Sequence, residues 1–154
     1  MKSTPVSVPD PSSRTAPPRA PSEAMRDSSS LTRAALQAAW SKNAFETRVL
    51  DVGRLASFTD MFVILSGRSD RHVLAIADAV ETDLKKQGLL PMGVEGRQGG
   101  TWVLLDYGSV VIHVFEKGTR AFYDLERLWS DAEVVPVEEP SWVTEFARME
   151  SSEA

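Results

Sequence analysis

Residues 99–118, GGTWVLLDYGSVVIHVFEKG, bring Trp102, Asp106 and His113 into one short stretch rich in aliphatic residues. An Asp beside a His can orient and polarise the imidazole as a general base, but only a nearby hydroxyl or thiol turns that pair into nucleophilic chemistry. The strand pair itself, WVLLD and VVIHVF, carries none, and the chain has no Cys. With two histidines in all, His72 and His113, a zinc site lacks ligands, so neither a catalytic residue nor a metal ligand is assigned. A third candidate is LSGRSDR (65–71), where a strand ending in Gly67 runs into a helix opened by Ser69. Such a junction can bind an anion at the helix N-terminus. It has neither the G-x-x-x-x-G-K of a P-loop nor the G-x-G-x-x-G of a dinucleotide site. No D-x-D follows it to hold paired metals, so capping by Ser69 is the simpler reading.

The elements that position these residues can be read from periodicity. SSSLTRAALQAAWSKNA starts a helix after its serines, with Leu31, Ala35, Leu36, Ala39 and Trp40 at helical spacing. FETRVLDVG (45–53) alternates as a strand, and DMFVILSG (60–67) is a continuous apolar run, expected at the centre of a sheet covered on both faces. SDRHVLAIADAVETDLKKQG (69–88) predicts a helix with a buried stripe of Val73, Leu74, Ile76, Ala77, Val80 and Leu84. Lys85 and Lys86 stand in its last turn, and Gly88 ends it. LLPMGVEG reads as a short edge strand, because Pro91 cannot donate a ladder hydrogen bond. The GVEGRQGG around Glu95 suggests an ordered turn. The hairpin of residues 99–118 follows, and TRAFYDLERLWS (119–130) predicts a last helix with Phe122, Leu125, Leu128 and Trp129 on its apolar face. The sum is an α/β fold, a mixed five-stranded sheet with flanking helices.

Strand alternation sorts the hairpin into two faces. A two-residue turn at Gly108-Ser109 sets Asp106 opposite Val111, Leu104 opposite His113, and Trp102 opposite Phe115. Val103, Leu105, Val110, Ile112 and Val114 then form an aliphatic face, which must be core. Trp102, Leu104, Asp106, Val111, His113 and Phe115 form a mixed face. That face either lies under a helix, with its polar groups paired inside the fold, or is an exposed patch with the aromatic anchors of a protein interface.

Composition bounds the class of function. Hydrophobic residues make up 42% of the 154 and charged residues 25%, as in an ordinary globular domain, and no apolar run approaches a membrane span. Residues 1–30, with six of the nine prolines, are expected to be a disordered arm; Met25, close to the first helix, is a second candidate start. Residues 31–130 form the domain and are neutral, with twelve charges of each sign. Residues 131–154 carry seven acidic side chains and one basic, an acidic C-terminal tail. Trp142, Phe146 and Met149 could give that tail a short amphipathic face. A neutral body with an acidic end lacks the basic patch of a direct nucleic-acid binder. Absence of Cys suits a reducing cytoplasm.

TDMFVILSGRSDRHVLAIADAV, GLLPMGVEG, WVLLDYGSVVIHVF and YDLERLWSDAEVV, in this order and spacing, resemble the ribosomal silencing factor family (RsfS, the Iojap-related family) over roughly residues 31 to 135. The resemblance implies a nucleotidyltransferase-like fold without catalytic acids, and a translational repressor rather than an enzyme. No cofactor or metal is expected. It further implies binding to large-subunit ribosomal protein number fourteen, obstruction of small-subunit joining when nutrients are scarce, and in some relatives help in large-subunit assembly. On that reading Trp102, Leu104, Asp106, His113 and Phe115, with Glu95, belong to a docking surface. The same face could carry a homodimer in the free protein. A nucleotide-binding enzyme related to nucleotidyltransferases is the alternative.

Overall fold

A computed structural model describes residues 27–152. Helix α1 (Ser28–Trp40) is followed by strands β1 (Phe45–Asp51) and β2 (Met61–Gly67), helix α2 (Asp70–Lys86), and strands β3 (Gly93–Glu95), β4 (Trp102–Asp106) and β5 (Val110–Glu116). Helices α3 (Lys117–Tyr123) and α4 (Leu125–Leu128), strand β6 (Glu133–Val135) and helix α5 (Ser141–Ser152) complete it. The expected disordered arm lies almost wholly outside the described residues.

The strands form one mixed sheet in the order β3-β4-β5-β2-β1-β6. The β2–β5 pair is parallel and every other pair antiparallel. All of β2 after Met61 is buried, as its unbroken apolar run requires of a strand with partners on both edges and cover on both faces. The hairpin register is the one its alternation predicts, with Trp102 opposite Phe115, Leu104 opposite His113 and Asp106 opposite Val111. Gly108 makes the turn possible with φ +87, and the Asp106 carboxylate accepts from its N–H at 2.8 Å.

Two hydrophobic clusters sandwich the sheet. On one face α1 and α2 pack on Val63, Leu65, Val103, Leu105, Ile112 and Val114, the aliphatic side of the hairpin. Burying each of these fully contributes about 1.5–3 kcal/mol. Helix α2 begins and ends as expected. Ser69 accepts from the His72 N–H, and Val73, Ile76, Ala77, Val80 and Leu84 are buried beneath it. The cap of α1 is Asp27, accepting from the Ser30 N–H, rather than a serine. On the other face a smaller cluster gathers Leu50, Val52, Phe62, Ile64, Val111, Phe115 and Leu125.

Three expectations need correction. The sheet has six strands, not five. The sixth, β6, lies in the stretch assigned to an acidic tail, and its three residues pair with β1 at Val49, Leu50 and Asp51. The last helix is broken at Asp124, whose left-handed φ of 50 separates α3 from α4. The bend buries Leu125 but leaves Phe122 and Leu128 exposed. The rest of the tail is docked as well. Val143 of α5 is fully buried, Phe146 meets the Phe45 and His72 rings, and Glu139 accepts from the Thr47 N–H and hydroxyl. Trp142 and Met149 stay exposed, so the buried side of α5 is set by Val143 and Phe146.

Candidate functional site

The mixed face of the hairpin is neither bare nor fully covered. Phe115, fully buried, and His113, 4% exposed, lie inside the second cluster, so both are corrected from exposed anchors to supporting core. The physical reason is the α3–α4 segment, which folds back over β5 and brings Leu125 and Trp129 onto this side of the sheet. Trp102, Leu104 and Asp106 on β4 are half-buried, and Glu95 on β3, paired with Leu104, is exposed. These four lie on the two strands at the β3 edge of the sheet, where α3 reaches Trp102 through Tyr123 and leaves Glu95 exposed.

Trp102 is held rigidly. Its ring stacks on Phe115 at 4.7 Å between centroids and meets Tyr123 at 5.0 Å. The indole Nε1–H donates to His113 Nδ1 at 3.1 Å. That bond assigns the proton of neutral His113 to Nε2, which has no hydrogen-bond partner among the described residues. Burial pushes the imidazole from its ordinary 6.5 down to about 4, so the ring is neutral near pH 7. His113 therefore acts here as an acceptor that fixes a tryptophan. The turn preceding β4 is also fixed. Gly96 has φ +88, and a Cβ there would stand 1.9 Å from the Trp102 carbonyl oxygen. Arg97 reaches Asp78 and Glu81 on α2 at 2.7 and 2.6 Å, tying the loop down.

Asp106 gives one carboxylate oxygen to the turn N–H of Gly108, so its charge is presented from a fixed position. It does not pair with His113. The two lie in different cross-strand pairs, and His113 spends Nδ1 on Trp102, so the general-base arrangement is absent from this face.

The other candidate junction is filled by the protein itself. Ser69 caps α2, the Arg68 N–H donates to His72 Nδ1 at 3.0 Å, and His72 Nε2 lies 2.6 Å from the Lys42 carbonyl. The Arg68 guanidinium sits 4.9 Å over the Phe146 ring of α5. Of the two D-x-E pairs, Asp124/Glu126 and Asp131/Glu133, the first is tied to Ser66 of this stretch through Arg120. Glu126 is held by Arg120 at 2.8 Å, and that hydrogen-bonded ion pair keeps its carboxyl below the usual range. Arg120 also donates to the Ser66 hydroxyl and the Glu46 carbonyl, bracing the β1 bulge against α3. No group of acidic, His or Cys side chains among the described residues could hold a metal ion. Sequence reasoning missed Tyr123 and Arg120, and Arg120, second in the run 119–130, carries no local signal of its burial.

A family model described as ribosomal silencing factor during starvation matches residues 25–154. Ribosomal silencing factor RsfS of Halalkalibacterium halodurans is 38% identical over 108 residues, 70% of this chain and 92% of its own. Its Bacillus subtilis counterpart is 38% identical over 103 residues, 67% and 87%. Mitochondrial assembly of ribosomal large subunit protein 1 of Mus musculus is 36% identical over 92 residues, 58% of this chain and 40% of its own. Crystal structures of a Chromobacterium violaceum protein and a Bacillus halodurans protein share the fold. Their TM-scores are 0.66 and 0.64, at 32% and 35% identity, covering 75% and 71% of this chain and 91% and 99% of theirs. The chain belongs to the ribosomal silencing factor family.

Proposed function

We propose that this protein is a translational repressor of the cytoplasm that docks on the large ribosomal subunit through its protein number fourteen and sterically blocks joining of the small subunit. The observation that carries the reading is Trp102. It is a half-buried aromatic, locked by a stacked ring and an indole hydrogen bond, on a strand pair flanked by Leu104, Asp106 and Glu95. Such a rigid aromatic anchor beside fixed charges suits docking, since interface energy concentrates in a few preorganised aromatic side chains. Glu95 and Asp106 point to a basic contact on the partner. Blocking requires bulk and a grip, and no reactive group. Among the described residues no helix is long and apolar enough to cross a membrane. The names of the relatives, silencing factors and a large-subunit assembly protein, support the same partner.

The test is co-sedimentation with purified large subunits, cross-linking to identify the protein touched, and light scattering of subunit joining. Binding without loss of joining would leave an assembly role and remove the blocking one. Self-association through the same face would appear as a dimer that large subunits dissociate.

A further inference from the structure

On the face of the second cluster, around the loop that enters β2, large apolar side chains stay open to solvent. Leu55, Phe58 and Val134 are each at least half exposed. Phe58 stands 6.2 Å from Phe62 and 6.5 Å from Trp129, edge-on to the latter, so an aromatic wall anchored in the core reaches the surface here. Beside it lies a cavity of about 400 Å³ walled by Asp51, Arg54, Leu55, Asp131, Ala132 and Glu133. Asp51 and Glu133 are directly opposite each other on β1 and β6, a like-charge pair that is destabilising on its own. Neither they nor Asp131 form an ion pair with another described residue. Arg54 offsets one of the three acidic charges and leaves the cavity wall at −2. Such a surface suits an occupant that sets a cation beside rigid apolar groups.

We propose that the occupant is the chain's own N-terminal arm, with Pro17, Pro18 and Pro21 on the Phe58–Trp129 wall and the Arg19 guanidinium in the acidic cavity. These residues, outside the described ones, form the run PPRAP. Proline-rich segments dock on aromatic-lined surfaces with little loss of chain entropy, because the ring fixes φ beforehand. Residues 1–26 carry four basic and two acidic side chains, opposite in sign to the cavity. The arm also leaves the fold nearby. Ser29, two residues after the Asp27 cap, lines one cleft with residues 135–138, and Glu133 lies two residues back from Val135 along β6, about 7 Å. The eight residues from Asp27 to Arg19 span about 25 Å as polyproline II, which covers that distance and the turn around the sheet edge. Tethering holds the arm at an effective concentration on the order of mM, so a contact of modest strength is occupied. This site does not depend on the docking role of Trp102 and is tested without ribosomes.

The chain has no Cys, so Ser22→Cys in the full chain gives a single attachment point for a nitroxide, just past the docked run. Its paramagnetic broadening is read on the ¹⁵N amide spectrum, with the reduced label as the blank. Broadening is expected to be strongest at residues 54–58 and 129–134, weak around Trp102, and unchanged on dilution. Arg19→Glu in the labelled chain should remove most of it, and so should Asp131→Asn combined with Glu133→Gln, with the melting temperature kept in both. High salt should weaken it, since the cavity lies at the surface. Broadening spread evenly over the domain, or centred on another face, would overturn the docking. Broadening at the patch that survives Arg19→Glu would overturn the pairing of Arg19 with the cavity, and broadening that disappears on dilution would overturn the intramolecular contact.

Discussion

The two faces of one hairpin behave differently, although they are interleaved residue by residue. Val103, Leu105, Ile112 and Val114 face two long helices and are fully buried. Trp102, Leu104 and Asp106 face a short broken helix that meets Trp102 through Tyr123 and leaves these three half-buried, while their cross-strand neighbours His113 and Phe115 are buried. The aliphatic face is therefore committed to stability. The mixed face is graded, core on β5 and accessible on β4, and aromatic stacking joins the two halves through Trp102 and Phe115 at 4.7 Å. A docking residue here can be rigid because its support is buried one strand away.

The contrast can be broken most forcefully with Val103→Asp, which places an unpaired charge in the helical-side core and should leave no cooperative melting transition. Phe115→Ala should come next. Removing a fully buried aromatic costs about 3–5 kcal/mol, read by urea denaturation at neutral pH. A loss under about 1 kcal/mol would mean the second cluster does not depend on that ring.

Acid should separate the faces further. His113 has a folded pKa near 4 against 6.5 when unfolded, so the unfolded chain takes up the proton first. Stability is thus full above pH 6.5 and falls as pH drops toward 4, by roughly 3 kcal/mol over that window. His113→Gln should flatten that part of the pH profile, leaving the loss below the ordinary carboxyl range to which Glu126 contributes. An unchanged slope in the variant would contradict the burial argument.

The smallest effect belongs to Asp106→Asn, which keeps the acceptor for Gly108 and removes the charge. Melting should change little, and large-subunit binding should weaken by a few tenths to 1 kcal/mol at low salt and less at high salt.

Much of this was legible in the chain. The hairpin register followed from alternation around Gly108-Ser109, and the α2 stripe from helical spacing and its Ser69 cap. Alternation reports which residues share a face but not what lies above it, so Phe115 and His113 could not be told from Trp102. Their cover comes from Leu125 and Trp129, beyond a bend at Asp124. A left-handed Asp is a tertiary choice with weak local signal, and it turned a uniform helical pattern into two pieces. Strand β6 was hidden for a similar reason. Three residues with two exposed side chains carry no period, and only the free edge of β1 makes them a strand. Of the candidate site, the shared face of Trp102, Leu104 and Asp106 was readable, and the division between half-buried β4 and buried β5 residues was not.

The central claim is that Trp102 grips a partner while Phe115 holds the fold. Its most direct test measures melting and large-subunit co-sedimentation together for Trp102→Ala and Phe115→Ala. The account predicts that Trp102→Ala melts closer to the parent than Phe115→Ala does, yet loses binding by about 2 kcal/mol or more, roughly thirtyfold. A Trp102→Ala protein that melts as early as Phe115→Ala, or that stays folded and binds large subunits as tightly as the parent, would contradict it.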